Sequence, residues 1–151
     1  MPQLPQLPLG GFVATLLVGA LQAQVSPVAV HTQLLGVDLA CPTAGGCSGA
    51  LALAPDFEHG LMVLEGQVLL SLPDGSELAA SPGELIYLPP GAAWLQLRSA
   101  GAARALLLGG APFEEPVLLW WNFVGRTAAE IERVAADRNG AARAFGAVSG
   151  Y

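Results

Sequence analysis

The chain has 151 residues, 53% of them hydrophobic and only 12% charged. Its mean hydropathy of +0.53 excludes a disordered polymer, and the length suffices for one domain with a buried core. Every basic residue is Arg, and six against twelve acids leave a net charge of −6. Nucleic acid and anionic membrane surfaces would repel such a chain and are excluded as partners.

Residues 1–11 read as a linker-like arm, since Pro2, Pro5 and Pro8 favour extended polyproline geometry. They would also suit the joint of a longer two-domain chain. No charged residue precedes Asp38, and GFVATLLVGALQAQ resembles a signal-peptide core. The flank before it has no Arg or Lys, and the run is too short to span a bilayer. Phe12, Val13, Thr15 and Val18 instead predict a first strand over 12–18 in a soluble protein. Further strands are expected over 28–39, 49–54, 60–72, 76–80, 84–88, 93–98, 103–108 and 117–124. Pro73-Asp74-Gly75-Ser76, Ser81-Pro82-Gly83 and Pro89-Pro90-Gly91 supply tight turns between them. Cys41 and Cys47, spaced C-x5-C in a Gly-rich loop, match no zinc or redox spacing. They are expected to be reduced cytosolic thiols, with a loop disulfide or half a metal site as alternatives.

A single helix is expected over 125–140. Thr127 with Glu130 forms a capping box, Ile131 and Val134 share a face, and Asn139-Gly140 supplies the stop. Residues 141–151 are expected to form a tail. Trp120, Trp121 and Phe123 fall on the last strand, where alternation would bury one tryptophan in the core and set the other against a helix or a second subunit. The arginines and acids from Arg126 to Arg143 read as a solvated, salt-bridged surface.

The segment HGLMVLEGQVLL followed by PGELIYLPPGAAW resembles the double motif of cupins, through Leu64-Glu65-Gly66, Pro82-Gly83-Glu84 and Pro89-Pro90-Gly91. The C-terminal third resembles the end of pirin-family proteins. The matching residues are Gly110, Pro112, Glu115-Pro116, Asn122-Phe123-Val124, Thr127, Glu130-Ile131 and Asp137. Upstream, LLVGALQAQVSPVAVHTQLLGVDL is similar to the entry into the same half, so the resemblance spans roughly residues 8–140. It implies an all-β fold, a cupin-type antiparallel jelly roll or β-sandwich barrel over 12–124 with one C-terminal helix. Pirins are two-domain bicupins, and only their second half is resembled here. Their iron ligands, three His and one Glu, belong to the first half.

A metal cupin presents an H-x-H pair, a Glu and a later His from inward strand positions. Counting back from Leu64-Glu65-Gly66 puts the Glu position on Glu58, the H-x-H pair on Leu51 and Leu53, and the last His on Trp94. Leucine has no lone pair to offer, and the indole nitrogen only donates. No catalytic residue, metal or other cofactor is therefore expected. Should a ligand set be rebuilt, it would use His31, Glu58 and His59. His59 is expected as a rim histidine in a polar turn with Asp56, and His31 as a partly exposed strand residue.

The leading expectation is a metal-free, non-catalytic pirin-like module in the cytoplasm, acting as a structural or interaction protein. A homodimer would cover the apolar surface that two cupin halves otherwise cover for each other. A protein partner is the companion possibility. Two alternatives remain: a metal-free small-molecule binder with a site near Glu58, His59, Met62 and Trp94, and a metal-dependent quercetinase-like dioxygenase.

Overall fold

The computed structural model describes residues 3–121 and 123–139. The chain divides into two compact units, Met1–Pro112 and Phe113–Tyr151. The first is built from strands whose apolar residues alternate with small or polar ones, so that each sheet has one face to bury. Six strands form one antiparallel sheet: β1 (Gln6–Leu9), β2 (Phe12–Val18), β5 (Leu34–Cys41), β12 (Ala103–Gly110), β7 (Glu58–Glu65) and β10 (Leu85–Leu88). They lie side by side in that order. Four more form the second sheet, in the order β6 (Cys47–Ala52), β11 (Trp94–Ser99), β8 (Val68–Ser71) and β9 (Glu77–Ala80). A small hairpin, β3 (Ala20–Leu21) with β4 (Gln24–Val25), lies between β2 and β5 in the chain.

The core sits between the inner faces. Leu107 pairs with Val37 on one side and with Leu61 on the other. All three are fully buried, together with Leu51, Leu70 and Leu95 from the second sheet. This is the antiparallel jelly-roll sandwich that the family resemblance implied. In the second unit, β13 (Leu118–Trp120) and β14 (Phe123–Gly125) make a hairpin, followed by α1 (Ala128–Asn139), the one helix among the described residues. The single strand expected over 117–124 is instead this hairpin, which groups with the helix in the second unit. The expected tail, 141–151, lies outside the described residues.

Other local expectations also need correction. Residues 6–9 of the supposed arm are a strand paired to β2, with Leu7 and Leu9 in the core. Pro8 is tolerated because β1 is an edge strand, where a missing N–H costs no ladder bond. The strand expected over 28–39 begins only at Leu34, and residues 26–33 cross without pairing as a strand. The run 60–72 breaks at Gly66, whose φ is +71° and where a Cβ would strike the Ala102 carbonyl. Cys41 and Cys47 are not free thiols. They form a disulfide joining the end of β5 to the start of β6, because the intervening loop returns their Cα atoms to 5.8 Å.

The helix start behaves nearly as expected. The Glu130 N–H donates to Thr127 Oγ1 at 3.2 Å, while the Glu130 carboxylate accepts the Arg126 N–H at 2.8 Å, one residue before the cap. That bond holds the Glu130 carboxyl below its usual pKa. No described helix is long and apolar enough to cross a membrane.

Candidate functional site

Strand β7 carries Glu58, His59 and Met62 of the residues singled out for chemistry, and its pleat separates them. His59, Leu61 and Val63 point inward, whereas Glu58, Gly60, Met62 and Leu64 point to the outer face. Counting had placed Glu58 inside, but the strand period of two gives that direction to His59. Nor is His59 a rim residue, since it is 2% exposed. It pairs with Leu88 on β10 and with Gly109 on β12. Its ring stands 6.1 Å from the Phe57 ring, centre to centre. Both ring nitrogens lack a hydrogen-bond partner. Burial pushes its pKa below the ordinary value, and the Asp56 carboxylate opposes that shift only in part. Gly109 makes room for the imidazole, because a Cβ there would lie 2.6 Å from His59 Cδ2.

The other expected site residues do not converge on His59. Glu58 accepts a hydrogen bond from the Tyr87 hydroxyl at 2.9 Å on the outer face, which raises the Tyr87 pKa. Met62 shares that face. Trp94 lies on the second sheet, alternating outward against inward Leu95, and is 41% exposed. The proposed set of Glu58, His59, Met62 and Trp94 is therefore spread over the core and two outer faces. His31 is not on a strand but in the irregular crossing before β5, where it is exposed.

A half-open pocket does exist in the first unit, at residues the sequence reading did not mark. A cavity of about 490 Å³ is bounded by the β3–β4 hairpin, the crossing 26–33, Leu35, Leu53 and Phe57. Its wall has no charged side chain and four of the smallest residues, Gly19, Ala20, Ala52 and Ala54. No periodic pattern marks this wall, because it is assembled from two separate stretches of chain, 19–35 and 52–57.

In the second unit, alternation fails at the aromatic run. Trp121 has φ +54° at the hairpin turn and is 87% exposed. Trp120, also exposed, stacks on Phe123 with centroids 6.2 Å apart. The turn breaks the strand that would have buried one of the two tryptophans.

The profile of the pirin C-terminal cupin domain matches residues 37–142, well over half of the chain. The chain belongs to the pirin family. A Pseudomonas aeruginosa protein provisionally named quercetin 2,3-dioxygenase is 44% identical to this pirin cupin over 132 residues. The match takes in 87% of this chain and 40% of the relative. A crystal structure of a quercetin 2,3-dioxygenase from Acinetobacter baumannii superposes with TM-score 0.84 at 35% identity, covering 99% of this chain and 48% of that one. A second A. baumannii structure of the same name superposes at 0.80 and 22% identity, covering 92% and 47%, a likeness of fold alone. The pirin cupin thus spans less than half the length of these relatives.

Metal chemistry of the kind cupins support needs a convergent set of imidazole and carboxylate donors. Inside this barrel the positions expected to hold such donors are Leu51 and Leu53, both buried in the apolar core. Glu58 and Trp94 face away from the core. His59 is the inward imidazole, and among the described residues no three His, Cys, Asp or Glu side chains cluster to hold an ion. The residues present do not fit a cupin metal.

Proposed function

We propose that this pirin cupin acts by contact rather than by catalysis, as a metal-free structural or interaction module. The observation that carries this reading is the donor set: Leu51 and Leu53 fill the core where ligands would converge, and Glu58 turns outward to Tyr87. The competing reading, a quercetinase-like dioxygenase, takes its support from the names of the relatives and would need His31, Glu58 and His59 to gather. Elemental analysis of protein purified without chelator separates the two. No stoichiometric iron, nickel, manganese, copper or zinc is expected, and no oxygen uptake with quercetin. One metal atom per chain, lost on His59→Ala, would overturn the proposal.

The partner we propose is a second copy, seated on the outer face of the six-stranded sheet. There Leu85, Met62 and Leu106 form one cross-strand row and Tyr87, Gly60 and Leu108 the next. Leu85 is 62% and Tyr87 59% exposed. Polar pairs stand beside this strip: Tyr87 with Glu58, and Arg104 bidentate to Asp38 at 2.9 Å. An apolar centre with a polar surround is the composition of a protein interface. The solved relatives are about twice as long as this chain.

A further inference from the structure

We infer that the cavity beneath the crossing 26–33 is a binding site for a neutral, largely apolar small molecule carrying one or two polar groups. This stands apart from the module reading, since the cavity neither touches the outer sheet face nor depends on the metal question. Its volume of about 490 Å³ falls in the range of small-molecule sites. Two features of the chain keep it open. Four of its lining residues are the small Gly19, Ala20, Ala52 and Ala54, and the crossing is irregular, with Val28, Val30, Thr32 and Gln33 exposed. Val28 and Val30 line the space yet remain exposed, leaving apolar surface in water that a ligand would cover.

The chemistry of the wall selects the ligand class. Without a charged side chain in the lining, an ionic ligand would lose its hydration with nothing to replace it. Phe57 supplies an aromatic surface. The Ser26 hydroxyl is already engaged, donating to the Leu17 carbonyl at 2.8 Å and accepting the Val28 N–H at 3.2 Å. Polar recognition therefore falls to Gln22, Thr32 and Gln33. Through its two bonds Ser26 ties the start of the crossing to β2.

The test titrates the protein with N-phenylnaphthylamine, a neutral aromatic probe whose fluorescence rises in apolar surroundings. A saturable rise with one site per chain is expected. Val30→Asp sets a charge in the wall at an exposed position and should weaken binding at least about tenfold. Ala54→Phe, which adds bulk to the wall at a half-buried position without charge, should do the same. Leu85→Asp, on the outer sheet face, should leave binding unchanged. Anilinonaphthalene sulfonate, the probe's anionic relative, should bind at least about tenfold more weakly. Absence of a saturable rise, or a rise lost with Leu85→Asp but kept in both cavity variants, overturns the site. Equal or tighter binding of the sulfonate overturns the neutral class. Metal content enters none of these readings, so this proposal and the module reading fail separately.

Discussion

An imidazole enclosed by hydrocarbon with both nitrogens unpaired, as His59 is, destabilises the fold by the desolvation of those atoms, about 1–3 kcal/mol. Replacing it by an apolar residue of similar size removes that cost. His59→Leu is expected to match or exceed the wild type by about 1 kcal/mol in urea unfolding near neutrality; a large loss would show that the ring makes a favourable contact. The same burial sets a pH dependence. Burial holds the folded pKa below the ordinary imidazole value of 6.5, so between the two values the unfolded chain binds more protons than the folded one. Stability therefore rises with pH across that window and is lost as pH falls from 6.5 through the folded value. His59→Leu should flatten this slope, and an unchanged slope would assign it to other groups. Gly109 is the complementary test. Gly109→Ala drives a Cβ into the buried ring and should destabilise by about 1–3 kcal/mol. Combining it with His59→Ala should recover part of the loss, because the two side chains then no longer collide.

At the level of elements, a feature set by bonds between near neighbours is legible in the sequence, whereas one set by a distant partner is not. The start of α1 is set by Thr127 and Glu130, whose bonds span three residues, so its cap was visible in sequence. The hairpin turn at Trp121 was hidden, because a left-handed tryptophan has no local signature. Strand β1 was hidden too: three prolines speak for an extended arm, and only pairing with β2 makes it a strand. The disulfide belongs to this scale, since it ties β5 to β6 across a short loop. Closing so small a loop in the unfolded chain should contribute about 2–3 kcal/mol. Reductant, or the double variant Cys41→Ala/Cys47→Ala, should lower the urea midpoint accordingly, and an unmoved midpoint would remove the bridge as a stabiliser. With the bridge formed, the cytoplasmic expectation loses the support it drew from reduced thiols.

For the whole molecule, the outer strip from Leu85 to Leu108 decides the expected assembly. Light scattering coupled to size exclusion should give twice the chain mass at micromolar concentration. Leu85→Asp should shift the protein to the monomer, because a charge at the centre of an apolar interface loses its water without a partner. A monomeric wild type would sink the dimer while leaving the fold and the cavity untouched. The strip could be anticipated only in general terms: a hydrophobic fraction of 53% says that some apolar surface must stay outside, not which face it occupies.

The sequence by itself determined an all-β domain, its turns and the capped helix, because alternation, glycine turns and caps act over a few residues, and the jelly roll came with the family resemblance. It also showed leucines at positions where a metal would need donors. Only the tertiary structure decided that His59 and not Glu58 enters the core, that Glu58, Met62 and Trp94 look outward, and that the open space lies under residues 26–33. One residue of strand parity reverses a side chain's face, and a cavity arises where separate segments fail to fill the space between them, which no local pattern records.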